Sequence, residues 1–309
     1  MQQGGPMQED FSAGCAYVDG GFVPIDRASI PILDMGFSRS DCTYDVVSVW
    51  HGAFFRLAEH LARFERSCAC LRLDPGMSRT QMASVLAECV ARSGLREAYV
   101  EMIATRGVPR AGERDPRRIT NRFYAYAIPY VWIARPEQQA RGLHLVIADS
   151  VERISPRAVD PTVKNFHWGD LVRGAFEAFD READTVVLLD AAGNVTEGPG
   201  FNLFASYRGQ LLTPADGVLL GITRQTVLAL AAREGVQARV GHLGPGILED
   251  ADEIFLTSTA GGVMPVTLLN GTPIGDGLPG PLTLRLRDRY WEAHGDPAWS
   301  TPVQYPAGQ

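Results

Sequence analysis

One residue of this sequence has an unusual capacity for chemistry. Of the 29 lysine and arginine residues, 28 are arginine and one, Lys164, is lysine. A guanidinium stays protonated, whereas a lysine amine can act as a nucleophile and form a Schiff base with a carbonyl group. A genome that replaces lysine with arginine wherever only charge matters would explain the bias, and it makes the retained lysine informative. We predict that Lys164 is a catalytic amine, with a solvated loop lysine as the alternative.

Lys164 precedes a predicted helix in "DPTVKNFHWGDLVRG", where aromatic residues flank it. A lysine that serves pyridoxal phosphate (PLP) needs an acid that keeps the pyridine nitrogen protonated, because the ring must withdraw electrons. Glu197 in "NVTEGPGFN" follows a predicted strand and lies among glycines, which allow a close backbone approach. A glutamate beside glycines is also typical of a turn, so this pattern leaves both interpretations open.

The phosphate of such a cofactor would need amides at a helix N-terminus and a cation. Gly221, Ile222 and Thr223 lie where a helix is predicted to begin, although an ordinary threonine N-cap has the same spacing. Thr259 in "TSTAGG" supplies a hydroxyl in a predicted turn after a strand, and Arg63 in "EHLARF" lies beside the apolar stripe of a predicted helix. A plain turn and a surface arginine would look the same.

The composition excludes several other classes of function. The net charge of −7 and the pI near 5.4 argue against a nucleic-acid-binding protein. The apolar stretch "YAYAIPYVWIA" is too short to span a bilayer, and the first residues do not resemble a secretory signal. The five cysteines contain no C-x-x-C and the six histidines no H-E-x-x-H. We therefore expect reduced thiols, no metal site and a cytoplasmic location.

Local patterns predict hairpins and helices in the first half of the chain. Residues 16–23 turn at "DGG" in a first hairpin, and "TYDVVSVW" and "AFFRL" flank "HG" in a second. Helices are predicted over "AEHLARFERSCACL" and over a segment that Ser78 caps and Gly94 ends. Strands follow over "AYVEMIATRG" and "RFYAYAIPYVWIA".

The second half mixes strands and helices without the regular alternation of a doubly wound sheet. Strands are predicted over "LHLVIADSVERI", "TVVLLD", "FNLFAS", "QLLTP" and "DEIFLTS", and helices over residues 170–179, "RQTVLALAAREG" and residues 282–292. The first of these helices carries the apolar stripe Leu171, Val172, Ala175, Phe176 and Phe179.

These elements predict an α+β chain of two lobes with a ligand between them. We expect a small N-terminal α/β domain over residues 12–134 and an interdomain linker over residues 135–142. A larger C-terminal domain that binds the cofactor would cover residues 143–294, and residues 295–309 would form a loose tail.

The combination and order of these motifs resemble one family, the class IV (fold-type IV) PLP-dependent aminotransferases. Within this group of branched-chain and D-amino acid aminotransferases, the sequence is most similar to the (R)-selective amine transaminases. The resemblance runs from about Tyr17 to Tyr290, and "SDCTYDVVSVWHGAFFRL", "DPTVKNFHWGDLVRG", "TEGPGFN" and "TAGGVMPVT" carry it. It implies the fold of D-amino acid aminotransferase, with a small N-terminal and a larger C-terminal lobe, and a homodimer.

The resemblance also implies a role for each matching position. Lys164 would form the internal aldimine with PLP and move protons, and Glu197 would contact the pyridine nitrogen. The phosphate would be bound by Arg63, Ile222, Thr223 and Thr259, while Leu219 packs on the ring. The substrate pocket matches Tyr44, Val46, Tyr99 and Glu101, with Trp168 and Ala260 nearby.

The sequence departs from the family pattern at three positions. Arg39 in "GFSRSD" replaces a histidine near the mouth of the pocket. Gly112 matches the mobile arginine that meets the acceptor carboxylate, so Arg110 or Arg114 would have to take over that role. Pro199 replaces the usual small hydroxyl residue two places after Glu197.

We interpret the chain as a transaminase that moves an amino group from an (R)-amine to an α-keto acid such as pyruvate. Alternatives within the superfamily are a D-amino acid or branched-chain amino acid aminotransferase and the aminodeoxychorismate lyase reaction. Outside it, the alternatives are a Schiff-base enzyme without PLP, such as an aldolase, and a binding or scaffold protein that lost the chemistry. The phosphate-binding elements argue against the aldolase, and the pair of Lys164 and Glu197 argues against the scaffold.

Overall fold

The protein is described from a computed structural model, which describes residues 11–306. Within this range the chain forms two compact units. The first unit comprises the described residues up to Val131 and those from Pro297 onward, and the second comprises Trp132–Asp296.

The strands and helices are numbered here in chain order. The strands are β1 (Cys15–Val18), β2 (Gly21–Pro24), β3 (Cys42–Trp50), β4 (Ala53–Phe55), β5 (Ala98–Thr105), β6 (Arg122–Pro129), β7 (Leu143–Glu152), β8 (Thr185–Leu189), β9 (Asn202–Tyr207), β10 (Gln210–Pro214), β11 (Ala238–Gly241), β12 (Glu253–Ser258), β13 (Gly262–Leu269), β14 (Thr272–Pro273) and β15 (Ser300–Pro302). The helices are α1 (Met35–Arg39), α2 (Leu57–Leu71), α3 (Arg79–Ser93), α4 (Pro136–Arg141), α5 (Gly169–Asp180), α6 (Ile222–Arg233), α7 (Pro245–Glu249) and α8 (Pro281–Glu292). This mixture confirms the predicted α+β class.

The first unit is an antiparallel sheet with two helices on one face. Its strand order is β15-β4-β3-β5-β6-β1-β2, and both predicted hairpins are present. Because side chains alternate along a strand, Val47 and Val49 of β3 enter the core with Phe64 of α2 and Leu86 of α3. The other face of β3 carries the positions that alternate with them.

The caps predicted for α3 are confirmed. The Ser78 side chain accepts a hydrogen bond from the Gln81 amide, and the Gln81 side chain accepts one from the Ser78 amide, which forms a capping box. At the other end Gly94 has a φ of 69°, the left-handed conformation that glycine adopts without a Cβ penalty.

The end of the chain differs from the predicted loose tail over residues 295–309. Strand β15 pairs with β4, where Ser300 lies opposite Phe55, and Val303 is buried in the core of the first unit. A strand of three residues is too short to show a hydrophobic periodicity, so the sequence did not predict it. Residues 307–309 lie outside the described residues.

The second unit is built on a mixed sheet of order β11-β10-β9-β12-β13-β7-β8, with β14 paired to β13. Strands β7 and β8 are parallel, and the connection between them carries Lys164 and α5. The predicted linker over residues 135–142 belongs to this unit, which begins at Trp132, and it contains helix α4. Pro136 occupies the first helical position of α4 and Gln138 the third, and both are signals of a helix start. The polar composition of the segment obscured these signals.

Helix α5 lies where it was predicted, but it does not bury the predicted apolar stripe. Leu171 is buried with Gly174 and Ala178, whereas the large side chains Val172, Phe176 and Phe179 are exposed. Small residues face the sheet because the helix approaches it closely. A Cβ on Gly174 would lie 2.7 Å from Leu188 Cδ2.

Among residues 11–306, no helix combines the length and the apolar character that a membrane span requires.

Candidate active site

Lys164 lies in the irregular segment that leads from β7 to α5 in the second unit, and it is half-buried. Side chain to backbone hydrogen bonds hold the segment on both sides of it. The Asn165 amide group donates to the Val163 carbonyl at 2.7 Å, and Trp168 Nε1 donates to the Asn165 carbonyl at 3.2 Å. Val163 is buried, which anchors the turn before the lysine. The segment is therefore an ordered support for the Lys164 side chain.

Glu197 precedes a tight turn, Gly198–Phe201, whose ends are joined by a hydrogen bond from the Phe201 amide to the Gly198 carbonyl. Pro199 occupies the second position of this turn, and Gly200 follows with a φ of +82°. Proline followed by a glycine at positive φ is the residue pair that a type II turn favours. Pro199 therefore fits the local backbone, which gives this departure from the family pattern a conformational reason.

Both carboxylate oxygens of Glu197 accept hydrogen bonds. Oε2 accepts from the Leu219 amide at 2.8 Å and from Asn202 Nδ2 at 3.2 Å, and Oε1 accepts from Arg153 Nη2 at 3.0 Å. Burial raises the pKa of Glu197, while Arg153, the Leu219 amide and the charge of Lys164 oppose that rise. Of these influences on the pKa of Glu197, that of Lys164 is the smallest.

Sequence reasoning missed Arg153, the first residue after β7. Its Nη1 donates to Asp170 Oδ2 at 2.6 Å, so the guanidinium lies between Asp170 and Glu197. In a chain with 28 arginines, nothing in the sequence distinguishes this one, because its partners are 17 and 44 residues away.

The N-terminus of α6 lies next to Glu197 through Leu219 and Asn202. Gly221 is the N-cap and no side chain caps it, so Thr223 lies inside the first turn, and the interpretation of Thr223 as an ordinary N-cap is wrong. Ile222 and Thr223 are both buried. The first amides of a helix have no partner within the helix and attract anions.

Thr259 follows β12 at the end of the sheet where β9 begins. Strands β9 and β12 are antiparallel, with Asn202 opposite Thr257, so the end of one lies beside the start of the other. The Ser258 hydroxyl donates to the Gly200 carbonyl at 2.8 Å and ties the two turns together. The turns that hold Glu197 and Thr259 therefore lie at the same end of this sheet as Asn202, the first residue of β9.

Arg63 lies in the first unit, on α2, with buried polar partners. Its Nε and Nη2 donate to the two oxygens of Asp45 at 2.7 and 2.8 Å, and His60 Nδ1 lies 2.8 Å from Asp45 Oδ1. Burial alone would raise the pKa of Asp45, but Arg63 and His60 outweigh it and hold that pKa below its usual range. Burial lowers the pKa of His60, and the hydrogen bond and charge of Asp45 oppose this change. Asp45 and His60 were not predicted.

One face of the first sheet gathers four of the predicted pocket residues. Val46 lies directly opposite Glu101 between β3 and β5, and Tyr44 and Tyr99 are two positions away on the same face. Tyr126 of β6, which was not predicted, lies opposite Glu101 on its other side. The hydroxyls of Tyr99 and Tyr126 donate to Glu101 Oε2 at 3.2 and 2.7 Å. Burial and the charge of Glu101 raise the pKa of both tyrosines.

The remaining predicted pocket residues are three exposed arginines in the first unit and two partly or fully buried residues in the second. Arg39 is exposed at the end of α1, and Arg110 and Arg114 are exposed in the loop between β5 and β6. In the part of the chain that the structure describes, neither loop arginine lies within 4.0 Å of a carboxylate, whereas Arg118 of the same loop pairs with Glu113. In the second unit, Trp168 is half-buried at the start of α5, and Ala260 is buried beside Thr259.

Three comparisons relate this chain to characterised proteins. The family model described as amino-transferase class IV matches residues 43–269. A D-alanine aminotransferase of Bacillus licheniformis is 31% identical over 261 residues, which cover 83% of this chain and 89% of that protein. A branched-chain-amino-acid aminotransferase of Salmonella typhimurium is 27% identical over 258 residues, or 81% and 83% of the two chains.

The fold also matches a solved structure. The crystal structure of a branched-chain amino acid aminotransferase from T.th., which contains pyridoxamine 5'-phosphate, is similar with a TM-score of 0.89 at 29% identity. The match covers 96% of this chain and 100% of the other. The similarity therefore extends over nearly all of both chains.

Proposed function

The chain belongs to the class IV aminotransferases and is a PLP-dependent transaminase, and we propose that its amino donor is an (R)-amine and its acceptor an α-keto acid such as pyruvate. The family assignment fixes the cofactor and the reaction class. The donor, the acceptor and the roles of individual residues are our proposal.

The residues of the second unit fit PLP. Arg153, Asp170 and Glu197 together carry one positive and two negative charges, and the net negative charge suits a protonated ring nitrogen. The uncapped first turn of α6 suits a phosphate group, because its amides are oriented toward an anion. Lys164, the sole amine side chain of the sequence, influences Glu197 electrostatically. Charge, amides and amine are thus all supplied by the second unit.

PLP supplies an aldehyde that captures amines and a ring that withdraws electrons when a bond at the donor Cα breaks. We assign to Lys164 Nζ the covalent attachment of the cofactor and the transfer of the proton that leaves the donor Cα. Glu197 would hold the proton on the pyridine nitrogen. Ile222, Thr223 and Thr259 would bind the phosphate, and Arg63 would add a cation. Leu219 orients Glu197 through its amide, and its side chain would pack on the ring.

The observation that carries the proposed donor is the face around Glu101. The neighbouring positions are Tyr44, Val46, Tyr99 and Tyr126, so this face combines apolar walls with a buried carboxylate that two tyrosines hold in place. A donor that carries a carboxylate would be repelled by Glu101, whereas an uncharged aryl or alkyl substituent is accommodated. This chemistry favours an amine over an amino acid as the donor.

The acceptor poses the opposite requirement, because a keto acid brings a carboxylate in every turnover. We assign this contact to Arg110 or Arg114, which lie in a loop whose Gly107 and Gly112 adopt positive φ angles of 89° and 79°. An exposed arginine on such a loop can pair with a carboxylate and return to water when the amine binds. We place Trp168 and Ala260 near the same substrate.

A D-amino acid or branched-chain amino acid donor is the second candidate, and the names of the relatives favour it. Arg39 supports this candidate, because an exposed cation at the end of α1 is suited to a donor carboxylate. We propose that it adds some activity on D-amino acids to the amine activity rather than replacing it.

A donor panel with pyruvate as acceptor tests the proposal. We expect turnover of (R)-1-phenylethylamine, almost none of the (S)-enantiomer and weaker turnover of D-alanine. Preferred turnover of L-leucine without turnover of (R)-amines would overturn the proposed donor and leave the family assignment intact.

We also propose a homodimer in the cytoplasm. The exposed side chains Val172, Phe176 and Phe179 on α5 form an apolar surface of the kind that subunit contacts cover. The five cysteines, which all lie within the described residues, form no disulfide with one another, as a reducing compartment favours. Size-exclusion chromatography with light scattering would measure the assembly directly.

A further inference from the structure

Arg153 has an unusual hydrogen-bonding state for a buried cation. Its side chain is 8% exposed, and both terminal nitrogens donate to carboxylates, Nη1 to Asp170 and Nη2 to Glu197. Its Nε is buried without a hydrogen-bond partner, and among residues 11–306 it is the sole buried side-chain nitrogen or oxygen in that state. An unsatisfied buried donor destabilises the fold, so an arginine retained there calls for a reason other than stability.

The surroundings fix the position of the guanidinium. Asp170 lies in the first turn of α5 and accepts hydrogen bonds from the Ile154 amide at 2.7 Å and the Leu171 amide at 2.8 Å. The Arg153 amide donates to the Leu189 carbonyl at 2.8 Å, so the backbone of Arg153 is held at the end of β8. The guanidinium is therefore anchored from the helix and from the strand before it reaches Glu197.

Glu197 lies on the other side of β8. The Leu188 amide donates to the Glu197 carbonyl at 3.1 Å, and the Thr196 amide donates to the Leu188 carbonyl at 2.9 Å. Consecutive residues of β8 thus hold the backbones of Arg153 and Glu197. Since the Leu219 amide and Asn202 occupy Oε2, and Arg153 occupies Oε1, the plane of the carboxylate is fixed.

The charges around Glu197 are few, and Arg153 is the strongest of them. Burial raises the pKa of Glu197, and Arg153 is the main group that opposes this rise; Lys164 contributes less. Arg224 of α6 is also buried nearby and feels the charge of Glu197, but it donates to Thr213 and to the Pro214 carbonyl. Asp170 is the remaining acidic group of this cluster.

We propose that Arg153 is a positioning residue for the reaction. It keeps Glu197 an ionised carboxylate, oriented toward the pyridine nitrogen, and Asp170 holds Arg153 in place. This inference rests on the role proposed above for Glu197. The two terminal nitrogens are engaged by Asp170 and Glu197, which leaves Nε as the one nitrogen of the guanidinium without a partner.

The test compares Arg153→Met, which removes the charge, with Arg153→Lys, which keeps it. The first readout is the pH titration of the visible absorption band of the resting holoenzyme. The second readout is the pH dependence of the half-reaction rate. In Arg153→Met we expect the acid limb of this rate profile to move upward by about one pH unit or more. We expect the band titration to resemble that of Glu197→Gln, while Arg153→Lys stays near the wild type. Circular dichroism and cofactor content verify that each variant is folded and loaded.

A double-mutant cycle gives the sharper criterion. If Arg153 acts through Glu197, Arg153→Met has almost no further effect in a Glu197→Gln background. Additive effects, or an unchanged pH profile in folded Arg153→Met, would overturn the inference. Should Arg153→Met fail to fold, Asp170→Asn and Arg153→Lys decide it: an upward shift in Asp170→Asn that Arg153→Lys lacks supports the inference, and unchanged profiles in both contradict it.

A matched control is available at the other end of the helix that carries Asp170. Arg181, at the opposite end of α5, donates to the Ile147 carbonyl and pairs with Asp149 and Glu177. We expect Arg181→Met to leave the pH profile unchanged. The result for Glu197→Gln distinguishes a failure of the role proposed for Glu197 from a failure of the inference on Arg153. Full activity in that variant would contradict the role of Glu197, whereas slow Glu197→Gln with an unshifted Arg153→Met would contradict only the inference on Arg153.

Discussion

Asp45 binds both Nε and Nη2 of Arg63 on the face of β3 that packs against α2, while its neighbours Tyr44 and Val46 lie on the other face. One strand thus serves two purposes through simple alternation of its side chains. On one side it fixes an arginine that the resemblance assigns to the phosphate. On the other side it supplies apolar walls beside Glu101.

The Asp45 cluster predicts a pH-dependent stability effect. Asp45→Asn would leave the buried Arg63 without its counterion, and we expect a loss of about 3–5 kcal/mol in the free energy of unfolding at pH 7. The folded-state pKa of Asp45 is lowered, so its contribution to stability is present above the unfolded pKa of about 3.9 and decreases as the pH falls below it. Urea denaturation of both proteins at several pH values measures this difference. A difference that stays constant into acid would contradict the prediction, and Glu88→Gln, in an exposed pair with Arg92, serves as the control.

Glu197 and Arg63 are expected to affect different kinetic parameters. Glu197→Gln removes the charge that holds the pyridinium proton, so we expect kcat to fall by roughly 10²–10³-fold with little change in cofactor affinity. Arg63→Ala removes a charge-assisted contact worth about 1.5–3 kcal/mol, which would raise the dissociation constant of PLP by roughly 10- to 100-fold. Cofactor titration and steady-state kinetics separate the two. Weak PLP binding with normal kcat in Glu197→Gln would mean that the roles are misassigned.

The loop between β5 and β6 is predicted to serve the acceptor half-reaction. Replacement of the responsible arginine, Arg110→Ala or Arg114→Ala, is expected to raise the KM for pyruvate by about 10-fold or more and to leave the KM for the amine unchanged. Arg118→Ala is the control in the same loop, because Arg118 already pairs with Glu113. Kinetics with each substrate varied in turn give both constants. If neither variant changes the KM for pyruvate, the acceptor carboxylate is bound elsewhere.

Arg39 is predicted to tune donor choice. Arg39→His restores the residue of the family pattern and removes a permanent cation from the end of α1. We expect kcat/KM for D-alanine to fall more than kcat/KM for (R)-1-phenylethylamine, because only the amino acid carries a carboxylate. Equal losses for both donors would show that Arg39 does not distinguish them.

Local sequence signals predicted much of the fold. The caps Ser78 and Gly94, the turn at "DGG" and the second hairpin depend on neighbours within a few residues, and the structure confirms them. The buried face of α5 was missed because periodicity reports which residues are apolar, not which of them a sheet approaches closely. The strand β15 was missed because its pairing partner β4 lies about 245 residues earlier in the chain.

The difference between local signals and contacts that are distant in sequence also explains which site residues were predicted. Lys164 and Glu197 were found because the type of each residue is informative in its own motif, and their roles stay predictions. Arg153, Asp45, His60 and Tyr126 were missed because each is recognised only by a charged or polar partner that is distant in sequence. Because 28 of the 29 lysine and arginine residues are arginine, a single arginine is not informative until its partner is known.

The central claim is that one amine, Lys164 Nζ, carries the cofactor and the proton transfer. Borohydride reduction of the holoenzyme, followed by peptide mass spectrometry, should find the phosphopyridoxyl group on the peptide that contains Lys164 and on no other. Lys164→Ala should bind PLP without this label and lose transamination by roughly 10³-fold or more, because nucleophile and proton carrier are removed together. A label on another residue, or a Lys164→Ala variant that retains wild-type turnover, would contradict the claim.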